Sequence, residues 1–314
     1  MADRSMLVQA AALAAGDQQY PAATLYVVAT PIGNLADLTL RALHVLATVD
    51  AIACEDTRHS GALLRHFGIA RPLIAVHAHN ERDAAAGVLA RLARGERVAC
   101  VSDAGTPTVS DPGAALVAAV RAAGHRVVPI PGASSALAAL SAAGDPRPGG
   151  FAFVGFLPAR GALREQALAR SVGEARAQVL FEAPHRIDGL SHALAAACPD
   201  RTLTVCRELT KQFETIATMP ASGFPGWLGA DPQRARGEFV IVLHGLAGAE
   251  EAAAASATPY DAILAPLVAA LPLKQAVALA GQISGAPRNA LYARALALKE
   301  GAPTIASSLP RTPR

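Results

Sequence analysis

The sequence has few lysines. Of its 28 basic residues only Lys211, Lys274 and Lys299 are lysines, so nearly all of the positive charge is arginine, and the net charge is only +3. Arginine grips phosphate through a bidentate fork. An alanine- and arginine-rich chain also follows from the base composition of coding DNA, however, so charge alone does not establish a nucleic-acid partner. Cysteine is equally sparse: Cys54, Cys100, Cys198 and Cys206 stand without C-x-x-C spacing, which leaves no disulfide framework and no thiolate metal site to read. Three of them fall in or beside predicted strands, the placement of buried, reduced thiols in a cytoplasmic protein. No apolar run approaches the ~18 residues that span a bilayer. The apolar patch from Met6 to Ala15 follows Asp3 and is interrupted by Gln9, so it reads as part of a flexible extension over residues 1–23 rather than a signal-peptide core. The first strand-turn-helix carries neither GxGxxG nor GxxxxGK[ST], which removes the dinucleotide and Walker phosphate signatures. No Ser/His/Asp set stands out. His77-x-His79-x-Glu81 has the look of a solvated loop, so no metal is expected.

What is present is a regular alternation of strands and helices. At 314 residues and 52% hydrophobic content the chain can fill two cores. Strands are predicted at residues 24–29, 49–54, 73–77, 97–101 and 126–130, with helices between them, which implies a mostly parallel sheet covered on both faces. Pro129 inside the fifth strand argues for a sheet edge or a strand end. Asn34 or Asp37 is expected to cap the first helix, at about residues 37–47.

The most informative stretch is Val101 to Gly113, VSDAGTPTVSDPG, between a strand and a helix. Connections of this kind are usually about 2 to 6 residues long, and this one combines two glycines and two prolines with hydroxyls and carboxylates. It is built to hold a polar ligand. The loops at residues 30–34, 55–58, 103–111 and 131–135 all leave carboxyl ends of strands and therefore converge on one rim, where open parallel sheets bind ligands.

DPRPGG at residues 145–150 marks a boundary. The first α/β domain is expected over residues 24–146 and a second over 150–246, with strands near 151–155, 178–182, 202–206, 214–218 and 238–243. Only seven residues join the third and fourth of these strands, so they pair antiparallel and the second sheet is mixed. A helix near 221–236 is broken by Gly223, Pro225, Gly226 and Gly229. After an Ala/Glu/Gly-rich linker, three short helices over residues 259–300 have helix-turn-helix spacing. The last carries Arg288 and Arg294. It is either a nucleic-acid face or a packing module.

Eight segments in order, LYVVATPIGNLADLT, EDTR, VSDAGTPTVSDPG, PIPGASS, FVGFLP, FEAPHR, RELTK and GEFVIVL, resemble the tetrapyrrole-methylase-like class of S-adenosylmethionine-dependent methyltransferases. Within it they are similar to the bacterial enzymes that methylate a cytidine 2′-hydroxyl of 16S ribosomal RNA. The resemblance spans residues 24–300. It implies two α/β domains, a mostly parallel and a mixed sheet with a helical module behind them, and S-adenosylmethionine in the cleft between the domains. It further implies a homodimer acting on the decoding region of the small subunit. Cofactor contacts carry over to Pro31, Gly33, Asp103, Gly105, Thr106, Val109, Ser134, Ser135 and Ala183.

Methyl transfer to oxygen is an in-line displacement that depends mainly on alignment, with a base needed only modestly. Glu55, Asp56 and Lys211 are the principal candidates to orient the acceptor or take its proton, with Glu182 and Glu208 behind them. Arg58, Arg160, Arg164, Arg186, Arg288 and Arg294 are the candidates to hold RNA, and Arg65 and Arg71 offer further charge. The segment after FLP holds only Arg160 and Arg164 where RNA-methylating relatives carry a lysine-dense loop. Two other functions fit parts of the pattern. One is methylation of a tetrapyrrole intermediate, which calls for a glycine-rich GxGxG first loop where this chain has TPIGN. The other is RNA binding without catalysis.

Overall fold

A computed structural model describes residues 4–77, 80–147, 150–246 and 260–300. The chain divides into two compact units, Met1–Leu246 and Ala247–Arg314. The first unit holds both sheets. Strands β1 (Thr24–Val28), β2 (Ala51–Cys54), β3 (Leu73–Ala75), β4 (Val98–Val101) and β5 (Arg126–Ile130) form an all-parallel sheet in the order β3-β2-β4-β1-β5. β2 and β4 are buried along their whole length, as strands covered by helices on both faces must be. Pro129 lies on β5 at the sheet edge, where its missing N–H breaks no ladder.

The connection from β1 runs to one side of the sheet and that from β4 crosses to the other, so the crevice opens at the carboxyl ends of β1 and β4. Thr30 and Gly105 pair there: Thr30 N–H donates to Gly105 O at 2.9 Å and Gly105 N–H to Thr30 O at 3.1 Å. Gly105 has φ +81, and a Cβ on it would stand 3.2 Å from Ile32 Cγ2. Glycine is what lets the two loops touch.

Helices α2 (Leu40–Thr48), α3 (Thr57–His66), α4 (Glu81–Ala93), α5 (Ala114–Ala122) and α6 (Ser135–Ala143) cover this sheet. Thr39, not Asn34 or Asp37, caps α2, its hydroxyl accepting from Ala42 N–H at 3.1 Å. Asn34 caps a short 3-10 turn at Leu35–Asp37 instead. That extra turn moves the helix start three residues past the predicted one. Residues 4–15, expected as part of a flexible extension, form helix α1 (Arg4–Ala15) packed on α2, with Ala11 and Ala15 buried. Its alanines have the highest intrinsic helix propensity, a signal outweighed in the sequence by the missing flanking patterns.

The second sheet is mixed, in the order β6-β7-β10-β8-β9, from β6 (Phe151–Phe156), β7 (Ala177–Glu182), β8 (Thr202–Arg207), β9 (Thr215–Pro220) and β10 (Phe239–Leu243). β8 and β9 pair antiparallel, as their short connection requires. Helices α7 (Ala162–Gly173), α8 (Ile187–Ala197) and α9 (Phe224–Gly229) flank it, and the predicted break around Gly223 and Gly229 appears as 3-10 turns on either side of α9. Ile32, Ala136, Ala139, Val179, Cys206, Leu209 and Val240 form one buried cluster joining the halves.

In the second unit α10 (Asp261–Ala270), α11 (Leu273–Ser284) and α12 (Arg288–Glu300) enclose Leu264, Val277, Ala280, Leu291 and Ala295. Among the described residues no helix is long and apolar enough to cross a membrane.

Candidate functional site

Two cavities, each of about 420 Å³, open at the carboxyl rim of the parallel sheet. Both fall in the range of small-molecule sites. The first lies between the halves of the unit. Gly105, Thr106, Val109, Ser134 and Ser135 line it from the parallel-sheet side, and Ala183 and Phe181 from the other. Thr106 Oγ1 donates to the Ala133 carbonyl at 3.0 Å, tying the loop after β4 to the loop after β5. Ser134 caps α6, so this wall is also a helix N-terminus, where the partial positive charge favours a carboxylate. Phe153 and Phe156 each meet Phe181 edge to face, at 5.1 and 5.5 Å between ring centres. Thus the cavity has hydroxyls and amides on one wall and apolar and aromatic surface on the other.

The second cavity lies against α3. Pro31, Gly33 and Asp103, expected beside the cofactor residues, line this cavity and not the first. Ile32, Ala104 and Glu238 line both, so the two spaces share a wall. Lys211 stands in the second, its Nζ donating to Glu208 Oε1 and Glu238 Oε2 at 2.9 Å each. Burial alone would lower the Lys211 pKa, but the two carboxylates carry it above the usual lysine value. Lys211 is therefore an ammonium at neutral pH and not a proton acceptor. Glu208 and Thr210 both have positive φ, +52 and +65, and strain of this kind gathers at functional turns. Glu208 also accepts from the Glu238 amide at 2.9 Å.

Other predicted residues take structural positions. Asp56 lines neither cavity: it caps α3 through Arg58 N–H at 2.8 Å and pairs with the Arg58 guanidinium at 2.7 Å. Those hydrogen bonds from Arg58 hold the Asp56 carboxyl far below the usual range, which makes it a poor base. Glu55 also lines neither cavity, and burial, then Asp103 and Asp111, push its pKa up. Arg164 and Arg186, assigned to RNA, converge on buried Glu182 at 3.1 and 2.9 Å. Both also donate to carbonyls of the turn after β6, Arg164 to Pro158 and Arg186 to Leu157. Together the two guanidiniums clamp that turn onto Glu182. Arg294 is bound to Asp261 across α10 and α12, at 2.6 Å. Arg71 donates to the Ala47 carbonyl. Arg58, Arg160 and Arg288 are exposed. Glu81 caps α5 through the amides of Gly113 and Ala115 at 2.8 and 3.0 Å; His79 lies outside the described residues. Among the described residues no His/Cys/Asp/Glu group has the geometry to hold a metal ion.

Glu238 was missed by sequence reasoning. Its signal was faint: one carboxylate between Gly237 and the apolar strand β10. Gly237 has φ +93, and a Cβ there would stand 2.5 Å from Glu208 Cγ. The glycine thus keeps room for Glu208 beneath Glu238.

The family model of tetrapyrrole (corrin/porphyrin) methylases matches residues 24–224, and a model described as the RsmI C-terminal HTH domain matches residues 253–299. The chain is 48% identical over 275 residues to ribosomal RNA small subunit methyltransferase I of Escherichia coli O157:H7, covering 87% of this chain and 94% of the relative. It is 47% identical over 276 residues to the protein of that name from Pseudomonas aeruginosa, covering 88% and 97%. Among solved structures, uroporphyrin-III-C-methyltransferase from Thermus thermophilus matches at a TM-score of 0.51 and 24% identity, over 73% of this chain and 98% of that one. The methyltransferase CobJ matches at 0.53 and 23%, over 71% and 94%. These two share the fold.

Proposed function

The chain belongs to the tetrapyrrole methylase family, and from that membership we propose that it is an S-adenosylmethionine-dependent methyltransferase of small-subunit ribosomal RNA. The observation that carries this reading is the first cavity, in a chain nearly half identical over most of its length to enzymes named for that reaction. We assign its product as the 2′-O-methyl group of a cytidine in 16S ribosomal RNA, made on the 30S subunit by a cytoplasmic homodimer.

The donor set fits the cofactor. The hydroxyls of Thr106, Ser134 and Ser135 and the amides at the start of α6 suit the carboxylate and ammonium of the methionine portion and the ribose hydroxyls. Val109, Ala183 and Phe181 offer the apolar surface that an adenine ring needs. When bound, S-adenosylmethionine supplies a methyl group on a sulfonium. The contribution of the chain is then to hold the two reactants in line and to keep water out, the main sources of rate in a displacement of this type. Tetrapyrrole methylation is disfavoured, because the tetrapyrrole enzymes share the fold at 24% identity or less while the ribosomal RNA enzymes also match the helical module. RNA binding without catalysis leaves the first cavity unexplained.

The test is methyl transfer. Purified protein is mixed with radiolabelled S-adenosylmethionine and 30S subunits from a strain lacking the orthologous enzyme, and ribose methylation is mapped on the RNA. One label per subunit at a cytidine ribose is the expected result. Cofactor binding in calorimetry with no label transferred to RNA would overturn the reading.

A further inference from the structure

We propose that the second cavity receives a single unstacked ribonucleotide of the RNA, and that Lys211 and Glu238 orient its ribose hydroxyl at the wall shared with the first cavity. This rests on the reading of the first cavity as the methyl donor's site.

Three observations carry it. The cavities have Ile32, Ala104 and Glu238 in common, so the two spaces adjoin at those residues. Direct transfer needs the acceptor oxygen in contact with the methyl carbon, with no side chain between them, and the shared edge is where that contact falls. The second wall mixes apolar surface with the imidazoles of His59 and His66, and unstacked bases are held on aromatic and imidazole faces. Lys211 is fixed there by construction: a Cβ on Gly33 would stand 2.4 Å from Lys211 Cγ, so the TPIGN turn needs glycine to let the lysine stem lie along it.

An ammonium has three donors. Two go to Glu208 and Glu238, and among the described residues the third has no protein acceptor. Directed at the acceptor oxygen, it orients a lone pair and stabilises the negative charge that develops there. The oxygen bonds to the methyl carbon as the carbon–sulfur bond breaks with its electron pair passing to sulfur. The hydroxyl proton passes to the Glu238 carboxylate ahead of the new bond, which leaves on the oxygen the negative charge that Lys211 stabilises, and the largely exposed Glu238 side chain then returns the proton to solvent.

The test uses the full chain, 30S subunits and S-adenosylmethionine. Ala62 is exposed on α3 and lines the second cavity alone, so Ala62→Trp fills that space without touching the core. It is expected to raise KM for 30S subunits at least 10-fold with the Kd for S-adenosylmethionine changed less than 2-fold. Lys211→Met is expected to lower kcat about 100-fold, Lys211→Arg to restore part of it, and Glu238→Gln to lower kcat. If Ala62→Trp methylates 30S subunits with unchanged kcat and KM, the second cavity is not the acceptor site, and the proposed function stands. If the unsubstituted protein transfers no methyl group to RNA, the proposed function itself fails.

Discussion

The hydroxyl of Thr106 reaches the carbonyl of Ala133 at 3.0 Å, joining turns that follow different strands of one sheet. That bond closes the polar wall of the first cavity, and its loss is measurable. Thr106→Val keeps the shape and removes the donor. A net contribution of roughly 1 kcal/mol for such a bond sets the expected loss of global stability in urea titration. Because Thr106 also lines the first cavity, where the proposed function puts S-adenosylmethionine, the calorimetric Kd for that cofactor should rise about 10-fold. Unchanged affinity would remove Thr106 from the binding wall.

Glu182 is buried at the end of β7 between two guanidiniums. Removing one member of a buried ionic group leaves the others uncompensated and costs roughly 3–5 kcal/mol. Glu182→Ala should therefore lower the urea midpoint well beyond what Arg160→Ala does, since Arg160 is exposed and has no ion-pair partner among the described residues. Equal midpoints for the two variants would show that Arg164 and Arg186 do not depend on Glu182.

The strand and helix periods of both sheets were legible in the sequence because those elements are buried on repeating faces, and β2 and β4 read as continuous apolar runs for that reason. The rim was legible too, since glycines, prolines and hydroxyls cluster where Gly105, Thr106 and Ser134 meet. Charges were not. Arg164, Arg186 and Arg294 look in sequence like Arg288, and only the fold shows that the first three are held by Glu182 and Asp261. The same limit hid the division of the rim in two. Pro31 and Gly33 line a different space from Thr106, the two adjoining at Ile32 and Ala104, and no one-dimensional pattern carries that partition.

Burial pushes the thiols of Cys100 and Cys206 up to about 12. A pKa raised in the folded state contributes stability that is intact below the unfolded value, about 8.5, and is lost as pH climbs toward the folded one. Stability should thus be insensitive to these groups near neutrality and fall between about pH 9 and pH 12, by up to about 1.4 kcal/mol per pH unit for each thiol. Cys206→Ala should flatten part of that fall in urea titrations at pH 8, 9.5 and 10.5. A slope identical to that of the unsubstituted protein would show that the Cys206 thiol ionises at the same pH in the folded and unfolded chain.

Arg288 and Arg294 lie on one helix, α12, but predict opposite behaviour. Arg294 is paired with Asp261 at 2.6 Å and joins α12 to α10, whereas Arg288 is exposed at the start of α12. A phosphate contact made by Arg288 should appear as salt dependence: Arg288→Ala is expected to weaken binding to 30S subunits and reduce the slope of log K against log salt by about 1. Methyl transfer at saturating subunit concentration should be unaffected. Arg294→Ala should leave that slope nearly intact and lower the thermal stability of the helical unit, because it breaks a partly buried bidentate pair. If instead Arg294→Ala alone changes the slope, the Asp261 pair yields to RNA on binding and the helical unit contacts RNA through α12's paired side.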